Sequence, residues 1–295
     1  MKMFDKADMK DRIGSMQKVN TLEHLKVVEK YFVKKAKEYN IEYEYDVVAN
    51  ELPYFKTIQY TEIGHSFLAN PLQQELRCQQ FVDAYNDDAE VSGDWIAYFR
   101  NRIETKESNK YTHIKHREYE PRPHLILPVG SNKLKDTICL NKLLYIIRKN
   151  GEDNVYFKPH PLTTHALVGE LKDQLGDGVV LERDSDMYSL LEKAEVVHTS
   201  HMSESILYAV ALGKKIDPID VYNKVERGSY YPISKHLFNN PDPQNWINKT
   251  FNSPKSGIFN PQVDEDWQGK MDKYFEYIMA ERDKHKGQFV YTTGG

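Results

Sequence analysis

The chain has 295 residues, 40% of them hydrophobic and 28% charged, and a net charge of −4. That balance excludes general disorder, and the negative sign denies the whole molecule a general attraction for nucleic acid, so such binding would need a local basic patch. The two cysteines, Cys78 and Cys139, make no CxxC pair, which argues against a zinc knuckle and fits a reducing compartment.

The first seventeen residues are charged and lack the apolar core of a secretion signal, and no run approaches the ~18 apolar residues of a membrane span. A cytoplasmic protein without a transmembrane segment is therefore expected, and nothing in the chain sets an oligomeric state. Thr21 offers a helix cap, and Leu22, Leu25, Val28, Tyr31, Phe32 and Ala36 recur near helical spacing, which predicts an amphipathic helix over 22–38. Ile41, Tyr43 and Tyr45 alternate with acidic residues as in a half-buried strand, and a second extended run covers 54–60. It leads into Ile63-Gly64-His65-Ser66, where Gly64 permits an unusual backbone and would present His65 from a loop. Residues 71–85 and 91–103 read as helices.

Between Arg100 and Arg122 the apolar density falls, and seven Lys/Arg stand against four Glu. As a solvated stretch ended by Pro121 and Pro123, this is the expected interdomain connection. The other reading is a surface for an anionic acceptor, with His113, His116, Tyr111 and Tyr119 interleaved among the cations and Arg117 and Arg122 as acceptor-binding residues.

A β-α-β-α rhythm follows, with strands over 125–129, 154–157, 179–181 and 195–198 and one beginning at Ile216, and helices over 137–148, 167–175, 187–193 and 205–212. Such alternation implies a parallel sheet with right-handed crossovers. Residues 227–232 read as a mobile loop, 267–282 as a closing helix, and 292–295 as a frayed end. The expected divisions are 1–120, 121–264 and 265–295.

Two strand ends carry the chemistry. Lys158-Pro159-His160-Pro161 puts two side-chain donors on a loop stiffened by prolines, which suits the developing charge of a phosphate leaving group; the same run also fits a proline-rich loop with an exposed Lys and a capping His. At the second end, Ser200 and Ser203 supply hydroxyls and Glu204 a carboxylate able to accept both hydroxyls of a ribose, although a helix cap with a first-turn Glu explains Ser203 and Glu204 as well. His198 and His201, or His113 and His116, are spaced to share a metal but lack a third ligand, so a structural use is expected and no metal site is assigned. Asp184-Ser185-Asp186 reads as the cap of the 187–193 helix. There is no P-loop, no G-x-S-x-G elbow and no G-x-G-x-x-G fingerprint.

As a set, Lys158-Pro159-His160-Pro161, Val197-His198-Thr199-Ser200 through Ser203-Glu204-Ser205-Ile206-Leu207, and Ala211-Leu212-Gly213-Lys214-Lys215-Ile216 resemble the C-terminal lobe of GT-B glycosyltransferases, particularly the capsule-type branch with an HP motif and a Ser-rich motif. The resemblance covers about 125–220. It implies an α/β, GT-B-like fold of two Rossmann-like lobes with the donor cleft between them, the N-terminal lobe being reduced. It also implies a nucleotide-sugar co-substrate, no tightly bound cofactor and no bound metal. By resemblance, Lys158 and His160 contact the donor phosphates, Ser200 and Ser203 the phosphate or sugar, Glu204 the ribose, and Gly130-Ser131 lies near the diphosphate. The acceptor-side base would come from the first lobe: His65, with Glu62 and Asp46 as competitors. A glycan acceptor is slightly favoured over a hydroxymethylated base in bacteriophage DNA, and a non-catalytic nucleotide- or sugar-binding protein is the remaining alternative.

Overall fold

The structure is a computed structural model that describes residues 23–45, 58–71, 74–105, 114–130, 134, 137–222, 225–226 and 228–284. The chain folds as two compact units. Among the described residues, one comprises 23–94 together with 247–284, the other 95–246. The sequence divisions 1–120, 121–264 and 265–295 differ from these limits, and each difference has a packing cause given below.

In the first unit, α1 (Glu23–Glu38) buries Val28, Phe32 and Ala36, the i, i+4, i+8 stripe of an amphipathic helix. Phe32 is ringed by Tyr43, Tyr60, Phe67 and Phe275 at centroid distances of 5.1 to 6.0 Å. Strands β1 (Tyr43–Tyr45), β2 (Ile58–Ile63) and β3 (Ser66–Pro71) join β8 (Ile258–Phe259) in the order β1-β2-β3-β8. Only β1 and β2 run parallel; β2–β3 and β3–β8 are antiparallel. The unit is thus a mixed sheet where the resemblance implied a Rossmann-like lobe.

The strand β3 is absent from the sequence reading for a physical reason. Every residue of β2 and β3 is buried, so neither shows the alternation that marks a half-exposed strand. Helix α2 (Gln74–Tyr85) follows. Near β8, Gly257 has φ +68°, and a Cβ there would stand 2.2 Å from the Ala69 carbonyl oxygen, so only glycine fits. The closing helix, α10 (Trp267–Lys284), buries Trp267, Met271, Tyr274, Phe275 and Ile278 in the core that also holds Val28 and Phe32.

The second unit begins at α3 (Trp95–Thr105), which precedes the boundary expected near Arg122. Phe99 of α3 meets Tyr208 edge-on at 5.5 Å, and Arg100 Nε donates to the Ala211 carbonyl at 2.7 Å, which fixes this helix to the second unit. Then come β4 (His124–Leu127), α4 (Leu140–Asn150), β5 (Val155–Phe157), α5 (His165–Leu175), α6 (Met187–Lys193), β6 (Val196–Thr199), α7 (Ser205–Ala211), β7 (Lys215–Pro218), α8 (Tyr231–Ser234) and α9 (Pro243–Asn252), within which the chain passes from one unit to the other. Tyr231 and Pro232, the end of the expected loop over 227–232, open the helix α8. The expected strand over 179–181 is a single bridge from Val180 to Phe157.

The four strands form an all-parallel sheet in the order β5-β4-β6-β7. Helices α4 and α5 share a core with the sheet through Leu143, Ile146, Ile147, Leu167, Val168 and Leu171. The order matters for function. From β4 the chain moves outward to β5, then returns past β4 to β6 and moves the other way to β7, so the order reverses between β4 and β6. Open parallel sheets hold ligands outside the carboxyl ends of the strands at such a reversal. The second unit is therefore a parallel α/β layer with a defined ligand edge.

Candidate functional site

The loops after β4, β5, β6 and β7 all leave from one edge of the sheet. After β4 the chain runs Pro128-Val129-Gly130. A Cβ on Gly130 would lie 3.4 Å from His160 Nδ1, so the backbone of the first loop passes close to the imidazole of the second. His160 Nδ1 accepts from the Leu162 backbone N–H at 3.1 Å, which puts the proton of the neutral ring on Nε2. His160 is partly exposed. The paired residues Gly130 and His160 were both expected here; Ser131 lies outside the described residues.

Lys158 is placed differently from its expected role. It is 3% exposed, and its ammonium donates to the Pro159 carbonyl at 2.9 Å and reaches the Arg183 carbonyl at 3.4 Å. Burial pushes its pKa down to about 7, with the Asp186 and Asp184 carboxylates working in the opposite direction. Arg183 continues the brace, donating to the Thr163 carbonyl at 2.8 Å and bonding His165 Nε2 at 2.7 Å. Thr164 caps α5 by accepting from Leu167 N–H. The His-Pro loop is thus held from below by a buried ammonium and a guanidinium.

At the β6 end, Ser200 is fully buried, and its hydroxyl donates to Asp220 Oδ1 at 2.7 Å while accepting from Met202 N–H. Asp220, just beyond β7, also accepts the His201 backbone N–H at 2.7 Å and His201 Nδ1–H at 2.9 Å through Oδ2. Three donors thus fix one carboxylate. Ser203 and Ser205 share a hydroxyl hydrogen bond at 2.8 Å, and Thr199 bonds both the Leu127 carbonyl and the Ser205 hydroxyl, tying the loop to β4. Glu204 sits at the start of α7, partly exposed, with no side-chain capping bond. His201 and Asp220 were missed as a pair because they lie 19 positions apart in sequence; the parallel register of β6 and β7 brings them together.

His198 points into a separate arrangement. Its Nε2 lies 3.1 Å from His124 Nδ1 with the rings stacked at 5.3 Å, and its Nδ1 lies 3.7 Å from Asp217. Burial holds His198 down at about 4 and lowers His124 as well. His198 and His201 therefore engage different partners, and among the described residues no group of three or more His, Cys, Asp or Glu is placed to hold a metal ion. His113 lies outside the described residues.

The described cations of the basic stretch have partners within the protein. Lys115 pairs with Asp184 at 2.6 Å, Arg117 approaches the same carboxylate at 3.9 Å, and His116 bonds Asp186 at 2.9 Å. Asp186 also caps α6 by accepting Tyr188 N–H, as the sequence suggested. Arg122 donates to the carbonyls of Glu152, Val155 and Gly178 and lies 4.1 Å over the Tyr156 ring. Arg122 therefore joins segments of this unit, while Arg117 stays exposed beside Asp184.

His65 and Glu62 belong to the first unit. Gly64 and His65 form a two-residue hairpin turn with φ of 53° and 61°. Glu62 Oε1 accepts the His65 backbone N–H at 2.6 Å, and the His65 carbonyl accepts from His24 Nε2 and Asn260. His65 is 2% exposed, buried in a tight turn where the sequence suggested a presenting loop. Asp46 lies outside the described residues.

No family model and no curated protein matches the chain. Among solved structures it is similar to KpsC of Thermosulfurimonas dismutans, a beta Kdo 2,7 transferase, at 13% identity and a TM-score of 0.38, over 74% of this chain and 79% of that one. Among the described residues no helix is long and apolar enough to cross a membrane.

Proposed function

We propose that the carboxyl edge of the parallel sheet binds the phosphates of a nucleotide sugar, and that the chain is a glycosyltransferase of GT-B type moving the sugar to a hydroxyl acceptor. The observation that carries this reading is the reversal of strand order between β4 and β6, with Gly130 and His160 on one side of it and the Ser200–Asp220 loop contact on the other. A backbone without a side chain lets phosphate approach closely, and an oriented imidazole N–H beside it stabilises the charge that develops as the sugar leaves. Ser203 and Glu204, both partly exposed, are the residues proposed for sugar and ribose hydroxyls.

A glycan acceptor fits better than DNA. The described cations of the 100–122 stretch each have a carboxylate, carbonyl or aromatic ring of the protein beside them, which lessens the charge left for tracking DNA phosphates.

Thermal denaturation against a panel of UDP-, GDP-, dTDP- and CMP-sugars tests the reading, because a ligand of the folded state alone raises Tm by mass action. One nucleotide class should stabilise, and His160→Ala should weaken that response at least tenfold in apparent Kd while slowing donor hydrolysis. A panel without any stabilising member would sink the proposal. Stabilisation with no turnover in the unsubstituted protein would leave a binding protein.

A further inference from the structure

The Asp220–His201 pair has the build of an oriented proton donor. The carboxylate is 4% exposed and accepts three hydrogen bonds, from the Ser200 hydroxyl, His201 N–H and His201 Nδ1–H, so its position is fixed before any ligand arrives. The bond to Nδ1 fixes the plane of the ring, and a carboxylate in that position stabilises the imidazolium, the form in which Nε2 can donate. Phe238 and Tyr231 pack against the imidazole at centroid distances of 4.5 and 5.6 Å, and Ser234 Oγ donates to the His201 carbonyl at 2.9 Å. With one nitrogen on a buried carboxylate and two rings packed alongside, the side chain keeps 19% of its surface accessible, and Nε2 is not among the buried atoms that lack a partner.

We infer that His201 donates a proton to the nucleotide phosphate as the sugar leaves, and that Asp220 is its positioning residue. This inference rests on the donor-edge reading above. It places the proton donor on the β6 side of the strand-order reversal, opposite His160. The anomeric carbon–oxygen bond breaks, its electron pair stays on the phosphate oxygen, and that oxygen takes the proton from Nε2 of the doubly protonated ring. The anomeric carbon bonds the acceptor oxygen, whose proton passes to a base or to solvent, and the imidazole regains its proton from solvent. The titratable groups facing the ring are Asp220 from the β7 end and Tyr231 from α8; Ser234 and Phe238 do not titrate in the working range.

The test uses the full chain and the nucleotide sugar that most raises its Tm in the panel. His201→Gln should slow turnover 10²- to 10³-fold, the range of general acid–base contributions, and keep the donor Kd within threefold. Asp220→Asn should slow turnover with the same Kd pattern. Ser234→Ala, which removes a tether of the loop backbone without touching the ring, should stay within threefold, and added imidazole should restore His201→Ala at least tenfold. Turnover of His201→Gln within threefold of the unsubstituted protein would overturn the assignment while leaving the donor site standing. So would a Ser234→Ala loss equal to that of His201→Gln, which would mark a purely structural tether. If no nucleotide sugar binds the unsubstituted chain, the donor-edge reading falls and the inference falls with it.

Discussion

Acid should unfold this protein partly through one histidine. His198 is 6% exposed, and in the folded chain its pKa is held at about 4 by burial, with His124 3.1 Å away and Asp217 3.7 Å away. In the unfolded chain it returns to the ordinary value near 6.5. The unfolded state therefore binds more protons between those limits, so stability is complete above pH 6.5 and falls as pH drops toward 4. At 1.36 kcal/mol per pH unit the loss comes to about 3 kcal/mol at pH 4. Urea denaturation of the unsubstituted chain and of His198→Gln, at half-unit steps from pH 7 to pH 4, isolates the effect. The variant carries its own constant penalty for altered packing, but the gap between the two should shift by about 3 kcal/mol in favour of the variant across that range, steepest between pH 6 and 4.5. A gap that stays flat within about 0.5 kcal/mol would refute the reasoning, because a histidine that charges as easily folded as unfolded cannot contribute a slope.

Gly257→Ala combines a left-handed φ with a Cβ placed against the Ala69 carbonyl, and a cost of at least about 3 kcal/mol is expected, read as a lowered urea midpoint. Arg122→Met removes three carbonyl bonds and the contact with Tyr156; it should cost about 2 kcal/mol and change DNA retention not at all. Any DNA retention by the unsubstituted chain should show a log–log salt slope shallower than about −2, whereas a slope of −5 or steeper would restore the DNA acceptor. His65→Asn should hold stability within about 0.5 kcal/mol, since Asn tolerates the left-handed turn, and should leave turnover within threefold; a hundredfold loss of turnover would install His65 as the acceptor-side base.

How legible the chain was depended on whether its residues touch water. Helix α1 and the closing helix α10 were readable because each buries one stripe and exposes the rest, and the β-α rhythm after residue 124 was readable because short apolar runs alternate with capped helices. The buried hairpin was not. Strands β2 and β3 have neither face in water, so Thr61–Glu62 looked like the start of a loop although both residues lie inside a sheet. Helix α9 was hidden by its polar composition and flanking prolines, although Asp242 accepts from Asn245 N–H at its start. In the site, Gly130 and His160 were legible as strand-end residues. The Asp220–His201 pair was not, because it depends on which strand lies beside β6, and no local pattern reports sheet order.

Sheet order also separates the two donors of the Lys158-Pro159-His160-Pro161 loop, which a sequence reading treats alike. Residues two apart share a face only while a strand continues, and β5 ends at Phe157, before both of these residues. Lys158, one residue past β5, continues the ladder through its N–H to the Ile126 carbonyl and turns its ammonium into the protein, while His160, two residues on, lies beside Gly130. The buried ammonium, the Arg183 guanidinium and the Thr164 cap brace one side of the loop, and the partly exposed imidazole occupies the other. A donor held in this way needs no reorganisation when charge develops on a phosphate, the condition under which electrostatic stabilisation in a water-poor site is strongest. In the proposed donor site Lys158 would therefore support His160 rather than touch the phosphate, and the leaving-group contact would fall to the imidazole and the glycine backbone.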